Sequence, residues 1–492
     1  YTPSSTLQRM ELLKTGYMGT LSLGWDNYLF LELTGRQERS STLKDQSFFY
    51  PSANLSFLFT QAFHMPSWWN YGKLRLSYGI VGNAPETYTA NIVYEQGSDN
   101  GFTWNTIPSS WGNADIHPEK KYEYEIGLES KFLNNRLGID VSYYNNRVKD
   151  QILSTPQPST SGVKNVLMNV GEVANHGWDI SISATPILTR DFRWDLTANY
   201  GVYKNKVVKL ADGVPYLEIL NSGGSGIKIQ AVEGQPMGDI YAQVPQVNEN
   251  GEYLVSDKGL YLNQTELQKV GNINPAGVGG LFNSFSYKNV FLDFSIDFRI
   301  GGDVINEMYQ YSTASGLTPE SLQFRDTEHG GLSYYYPGNN NASGVPVQVD
   351  PSLGAGPNGE TVYHDGVILP GVVASTGEKN TRIIPAGYYY NQTYNWGTQP
   401  EQLTYRHSVF DNSYVKLREL TIGYQFPEKL ISKLGMTRLS VSVFGRNLFY
   451  FYKALKNYDA ESSVGTSWAS QAVVGGSTTA TRNFGVSLRA SF

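Results

Sequence analysis

A period of two governs this chain. At its C-terminal end Phe484, Val486, Leu488, Ala490 and Phe492 alternate with Asn483, Gly485, Ser487, Arg489 and Ser491. Successive side chains on a strand point to opposite faces, so this segment has one oily face and one wet face. The same pattern recurs upstream. Leu74, Leu76, Tyr78 and Ile80 oppose Lys73, Arg75, Ser77 and Gly79; Tyr124, Ile126 and Leu128 oppose Glu123, Glu125, Gly127 and Glu129. Phe192, Trp194, Leu196, Ala198 and Tyr200 oppose Arg193, Asp195, Thr197 and Asn199, and Leu292, Phe294, Ile296, Phe298 and Ile300 oppose Asp293, Ser295, Asp297 and Arg299. Charge is confined to one face each time, and helical spacing fits none of these segments. Several alternate over about 9–11 residues, the length of a membrane-crossing strand. The pattern predicts an all-β transmembrane antiparallel barrel.

Composition agrees by exclusion. No run of about 18 apolar residues exists, which sets aside a helical membrane protein; a barrel needs no such run, because half of each strand faces water. The 492 residues contain no cysteine, so a disulfide scaffold and thiolate metal sites are ruled out. A net charge of −6 gives no basic surface for nucleic acid, which is not expected as a partner. The chain opens on Tyr1 without a basic and apolar leader, and the expectation is that an upstream part is missing.

About 13 strands are expected, near 17–24, 28–36, 52–63, 72–81, 121–131, 137–148, 172–185, 192–204, 278–287, 291–300, 414–426, 438–448 and 482–492. Short connections at 25–27, 133–136, 186–191 and 288–290 alternate with long ones at 82–120, 149–171, 205–277, 301–413 and 449–481. Outer-membrane barrels have short periplasmic turns and long outer loops, so the rhythm puts the long loops outside and Phe492 at the periplasmic side. Such barrels have even strand counts, so an odd number of strands is expected before Tyr1, the alternative being one more strand within residues 1–15. One parity break stands out. Val415 and Leu417 lie on one parity, and Leu420, Ile422, Tyr424 and Phe426 on the other; a β-bulge near Glu419 would restore one apolar face.

Several segments in fixed order resemble the SusC-like (RagA-like) branch of TonB-dependent outer-membrane transporters of Bacteroidetes. They are Gly171-Glu172-Val173-Ala174-Asn175-His176-Gly177-Trp178; Val270-Gly271-Asn272-Ile273-Asn274-Pro275 with Gly279-Gly280 and Tyr287-Lys288-Asn289; Asn412-Ser413-Tyr414-Val415-Lys416-Leu417-Arg418; and Gly445-Arg446-Asn447-Leu448-Phe449 with the closing Phe492. The family's Arg-x-Asp-Gly-Ser-Ser stretch instead reads Arg36-Gln37-Glu38-Arg39-Ser40-Ser41. The resemblance implies a barrel of about 22 strands with a plugged lumen. Residues 1–492 would then be its C-terminal portion, with the plug, the TonB-contacting segment and the first strands upstream. It further implies TonB-driven import, with a SusD-like surface lipoprotein, of oligosaccharides or oligopeptides, with no reaction and no cofactor; the aromatic loops rank oligosaccharides first. A passive or structural outer-membrane barrel is the second reading, and a secreted all-β enzyme or lectin the third.

Little chemistry competes with this. His64, His117, His176, His329, His364 and His407 are scattered without zinc-site spacing, so no metal site is expected. No nucleophile elbow or catalytic order appears. Glu123, Glu125, Glu129, Arg193, Asp195, Asp293, Asp297 and Arg299 read as polar lumen wall rather than paired catalytic carboxylates. The longest connection carries Tyr334, Tyr335, Tyr336, Tyr388, Tyr389, Tyr390, Tyr394 and Trp396, the candidate contacts for substrate or lid, because aromatic faces stack on sugars and suit interfaces. That connection, rich in Asn, Gly and Pro, is expected to hold little helix or strand and to be ordered by packing on its neighbours. Trp68, Trp69, Tyr143, Trp194 and Phe492 read as girdle residues at the membrane surfaces.

Overall fold

The computed structural model describes residues 9–43, 47–99, 101–222, 226–394, 404–476 and 480–492. Its dominant element is one antiparallel sheet of 13 strands in unbroken neighbour order. We number them β1 (Lys14–Trp25), β2 (Leu29–Ser40), β3 (Ser47–Phe57), β4 (Trp69–Asn83), β5 (Glu119–Phe132), β6 (Leu137–Lys149), β7 (Glu172–Leu188), β8 (Phe192–Lys209), β9 (Pro275–Tyr287), β10 (Val290–Gly301), β11 (Tyr414–Gln425), β12 (Arg438–Lys453) and β13 (Asn483–Ser491). β1 and β13 form the two edges. Every expected strand is present. The third is shifted: residues 59–62 are a short helix, α1 (Phe59–Ala62), whose Phe59 ring packs where a methyl at Gly72 would be.

The ladder lines up the oily faces. Leu31, Leu55, Leu76, Ile126, Tyr143, Trp178 and Val202 follow one another across β2 to β8. Leu292, Ile422, Val443 and Val486 do the same across β10 to β13. Leu76, Ile126, Trp178, Ile422 and Val443 are exposed, which suits a face solvated by lipid. Asn283 is a polar residue set among the apolar ones of this face. It is buried and accepts a hydrogen bond from Trp194 Nε1 at 3.1 Å, which satisfies it away from water. The tight turns at the short end use residues that tolerate positive φ: Asp26 (49°) and Asn27 (57°), then Asn134 (58°) and Asn135 (63°).

The parity break resolves as a bulge at Arg418, one residue before Glu419. Ser295 pairs with Glu419 and Ile296 with Leu417, so Arg418 is the extra residue. Leu417 and Leu420 thereby share the apolar face with Ile296 and Phe294.

The long connection 301–413 departs from expectation. It contains α2 (Glu307–Ala314), α3 (Ala386–Tyr394) and a small sheet joining 332–335, 347–348, 362–367 and 384–385. These pairings join segments far apart in sequence, so no local propensity announces them. Asn306 caps α2 by accepting from the Tyr309 amide at 3.0 Å. Packing between loops is as expected: Ile227, Ile229 and Ile240 share a core with Ile305, Tyr405, Val409 and Val473. Among the described residues no helix is long and apolar enough to cross a membrane.

Candidate functional site

The polar face of the sheet carries the charges assigned to the wall, and most are paired. Arg75 on β4 makes a two-pronged contact with Asp140 on β6, at 2.6 and 3.0 Å, with Glu129 on β5 3.6 Å away. Asp195 accepts from Arg193 and from the Thr185 hydroxyl at 2.7 Å. Ser284 donates to Asp293 at 2.6 Å, and Asn146 to Glu123 at 3.1 Å. Arg299 donates to the Ile273 carbonyl at 3.0 Å. Contacts of this kind, within a strand for Arg193 and Asp195 and between strands for Asp140, Asp293 and Glu123, satisfy most of these groups in place as wall residues.

The densest cluster was not picked out from the sequence. The bulge projects Arg418 onto Asp297 of β10, with Nε 3.1 Å away, and onto Glu461 of the 454–482 connection at 2.6 Å. Glu461 also pairs with Lys416, whose side chain is only 2% exposed, and the Lys416 ammonium lies 4.7 Å from the Tyr450 ring centre. Tyr450 donates to Asp459 at 2.6 Å, and the Ala480 amide donates to the same carboxylate at 3.0 Å. Burial alone would raise the Glu461 carboxyl; hydrogen bonds from Arg418 and Lys416 outweigh it and hold it below the usual range. This knot ties a loop to the wall of β10 to β12. The parity break at Arg418 was its one sequence signal.

The aromatic candidates divide by burial. Tyr334, Tyr390 and Tyr394 are 1%, 6% and 8% exposed and form the interior of the loop layer. Tyr334 donates to Asp365 at 3.1 Å and stacks on Tyr363, 5.5 Å between ring centres. Tyr390 donates to the Glu320 carbonyl at 2.8 Å, and Tyr394 stacks on His407 at 5.1 Å. Burial raises all three phenols, so they stay protonated donors. The Tyr389 phenol is pushed up to about 12 by burial and by Tyr390, and burial and Arg406 push His407 down to about 4. Tyr335, Tyr336, Tyr388 and Tyr389 are half-buried. Trp396 lies outside the described residues. Among the described residues no cluster of His, Asp or Glu is arranged to hold a metal.

A family model described as TonB dependent receptor-like, beta-barrel, matches residues 12–240. TonB-dependent receptor P3 of Formosa agariphila is 24% identical over 494 residues, spanning 91% of this chain and 42% of the relative. SusC of Bacteroides thetaiotaomicron is 29% identical over 244 residues, 46% of this chain and 24% of SusC. The chain is a homologue of the SusC-like TonB-dependent receptors. The solved RagAB peptide transporter shares the fold, with a TM-score of 0.68 at 19% identity over 96% of this chain and 47% of that one. The chain thus spans less than half the length of these relatives. Receptors of this class are outer-membrane proteins, and the resemblance read from the sequence motifs holds.

Proposed function

We propose that this chain is the C-terminal barrel portion of a TonB-driven importer in the outer membrane, its long loops on the outside. The observation that carries the reading is the 13-strand meander, with an exposed apolar face and a paired polar one, in a homologue of SusC. In this reading further strands close the edges β1 and β13, because an open edge in lipid would leave backbone groups unpaired. A plug and a TonB-contacting segment belong to the same protein, and a SusD-like lipoprotein covers the loop layer. The cargo is an oligosaccharide, gripped by the half-buried Tyr335, Tyr336, Tyr388 and Tyr389 rather than by the buried tyrosines. An oligopeptide is the second cargo reading, favoured by the likeness to the RagAB peptide transporter.

The test is uptake of labelled oligosaccharides and oligopeptides by cells making the full-length protein, with and without functional TonB. TonB-dependent uptake that falls when Tyr335 and Tyr336 are changed to alanine is the expected result. Uptake independent of TonB would favour a passive barrel. Import of peptides alone would overturn the oligosaccharide reading.

A further inference from the structure

The apolar face of β5 to β8 changes character abruptly towards the long loops. One rung holds Ile126, Tyr143, Trp178 and Val202. The next holds Tyr124, Asn145, His176 and Lys204, and the one beyond it Tyr122, Arg147, Ala174 and Lys206. Lys120 and Lys149 then pair directly opposite one another. Rungs on one face are about 7 Å apart along the strand, so His176 and Lys204 lie one rung from the Trp178 and Tyr143 rings, Arg147 and Lys206 two, and Lys120 and Lys149 three. All six basic groups (Lys120, Arg147, Lys149, His176, Lys204, Lys206) are exposed.

Their charge is largely uncompensated. Among the described residues the one acid paired into this patch is Glu172, 2.9 Å from Arg147, while Lys120, Lys149, Lys204 and Lys206 have no acidic partner. The opposite face of the same strands behaves differently: there Asp140 meets Arg75 of the neighbouring β4, and Lys121 meets Glu123. Like charges directly opposite on a ladder repel, so the Lys120–Lys149 pair is unfavourable until an anion joins it.

We propose that this surface is a binding site for the phosphate-bearing headgroup of an anionic membrane lipid in the leaflet at the loop end. The proposal rests on the outer-membrane reading above. Continuity selects a lipid over a soluble anion. The exposed Ile126, Leu128 and Trp178 lie directly below the cations, where acyl chains would run, and Tyr124 and Trp178 mark the depth at which headgroups begin. Lysine and arginine stems reach up from the apolar band and place their charges among phosphate oxygens.

The experiment uses the full-length protein in an uncharged detergent. A diphosphorylated acyl lipid, a zwitterionic lipid with the same chains and inorganic phosphate are added separately, and retained molecules are counted by native mass spectrometry. The protein is expected to keep the anionic lipid in preference to the zwitterionic one and to lose that preference in high salt. Removing Lys204 and Lys206 together, or Arg147 and Lys149 together, by glutamine should weaken retention about fivefold per cation. Lys73→Gln, on the polar face, should leave it unchanged. Equal retention of both lipids by the wild-type protein overturns the proposal whatever the variants do. So do undiminished retention by folded variants, and saturation by phosphate alone. Heat-modifiable migration and insertion into vesicles are scored separately. Failure of the wild-type protein to insert would refute the outer-membrane reading, whereas insertion without lipid preference refutes this proposal alone.

Discussion

Replacing Glu461 by glutamine should weaken the barrel wall at a distance from any candidate cargo contact. The substitution keeps the shape but removes the charge that Lys416 and Arg418 share. Lys416 is 2% exposed, Glu461 29% and Arg418 33%. Stranding a fully buried charge costs about 3–5 kcal/mol, whereas an exposed pair contributes about 0–1. Arg418 keeps Asp297 and glutamine still accepts one hydrogen bond, so we expect a loss of about 2 kcal/mol, mostly from Lys416. Lys416→Met should cost less, because Glu461 retains Arg418. The double variant should fall short of the sum by about 1 kcal/mol. Urea unfolding of the full-length protein in lipid vesicles, followed by tryptophan fluorescence, measures all three. The acid limb gives a second check. The Glu461 carboxyl lies below its ordinary value in the folded state, so the unfolded chain takes up the proton first as the pH falls. Its contribution is whole above about pH 4.3, the ordinary value, and is lost as the pH falls through the lower folded value. Glu461→Gln should remove that segment of the pH profile. A variant within about 0.5 kcal/mol of the wild type, or strictly additive energies, would refute a buried knot.

Phe294→Arg, in the middle of β10 on the apolar face, should cost about 2–4 kcal/mol in the same unfolding assay; full tolerance would mean the face looks into the lumen. Gly72→Ala should cost about 1–3 kcal/mol, because the new methyl meets the Phe59 ring, and Phe59→Ala should recover part of the loss. His407 is held neutral, its folded value near 4 lying below the ordinary 6.5 or so, so the loop layer should lose stability as the pH falls from about 6.5 towards 4. Limited proteolysis across that range reads the loosening, and a His407→Phe variant should not show it.

The sheet was legible because a lipid-facing wall imposes its period on every strand. Residues 291–300 alternate so cleanly that strand, face and register follow from sequence, and Asp26-Asn27 and Asn134-Asn135 announce their turns through their tolerance of positive φ. Even the bulge was readable, since a parity break within an apolar strand has few other resolutions. The strands run further than expected at the loop end, to Lys209 and Lys453, because Val207-Val208 and Phe449-Tyr450-Phe451-Tyr452 put bulky residues on both faces and apolar–polar alternation no longer marks them.

What the sequence determined by itself, then, is the repeating wall: local alternation meets one uniform solvent, and each strand can be read without its neighbours. The loop layer obeys no such rule. Whether a tyrosine is presented or buried depends on which distant segment covers it: Tyr334 by Tyr363, Tyr390 by the 320–323 turn, Tyr394 by His407. The partners of Arg418 likewise come from β10 and from a connection more than forty residues onward. The outward cation patch uses four strands at once, each contributing one or two charges that look unremarkable alone. Only tertiary structure decides these, because burial, pairing and summed charge depend on which surfaces the fold brings together.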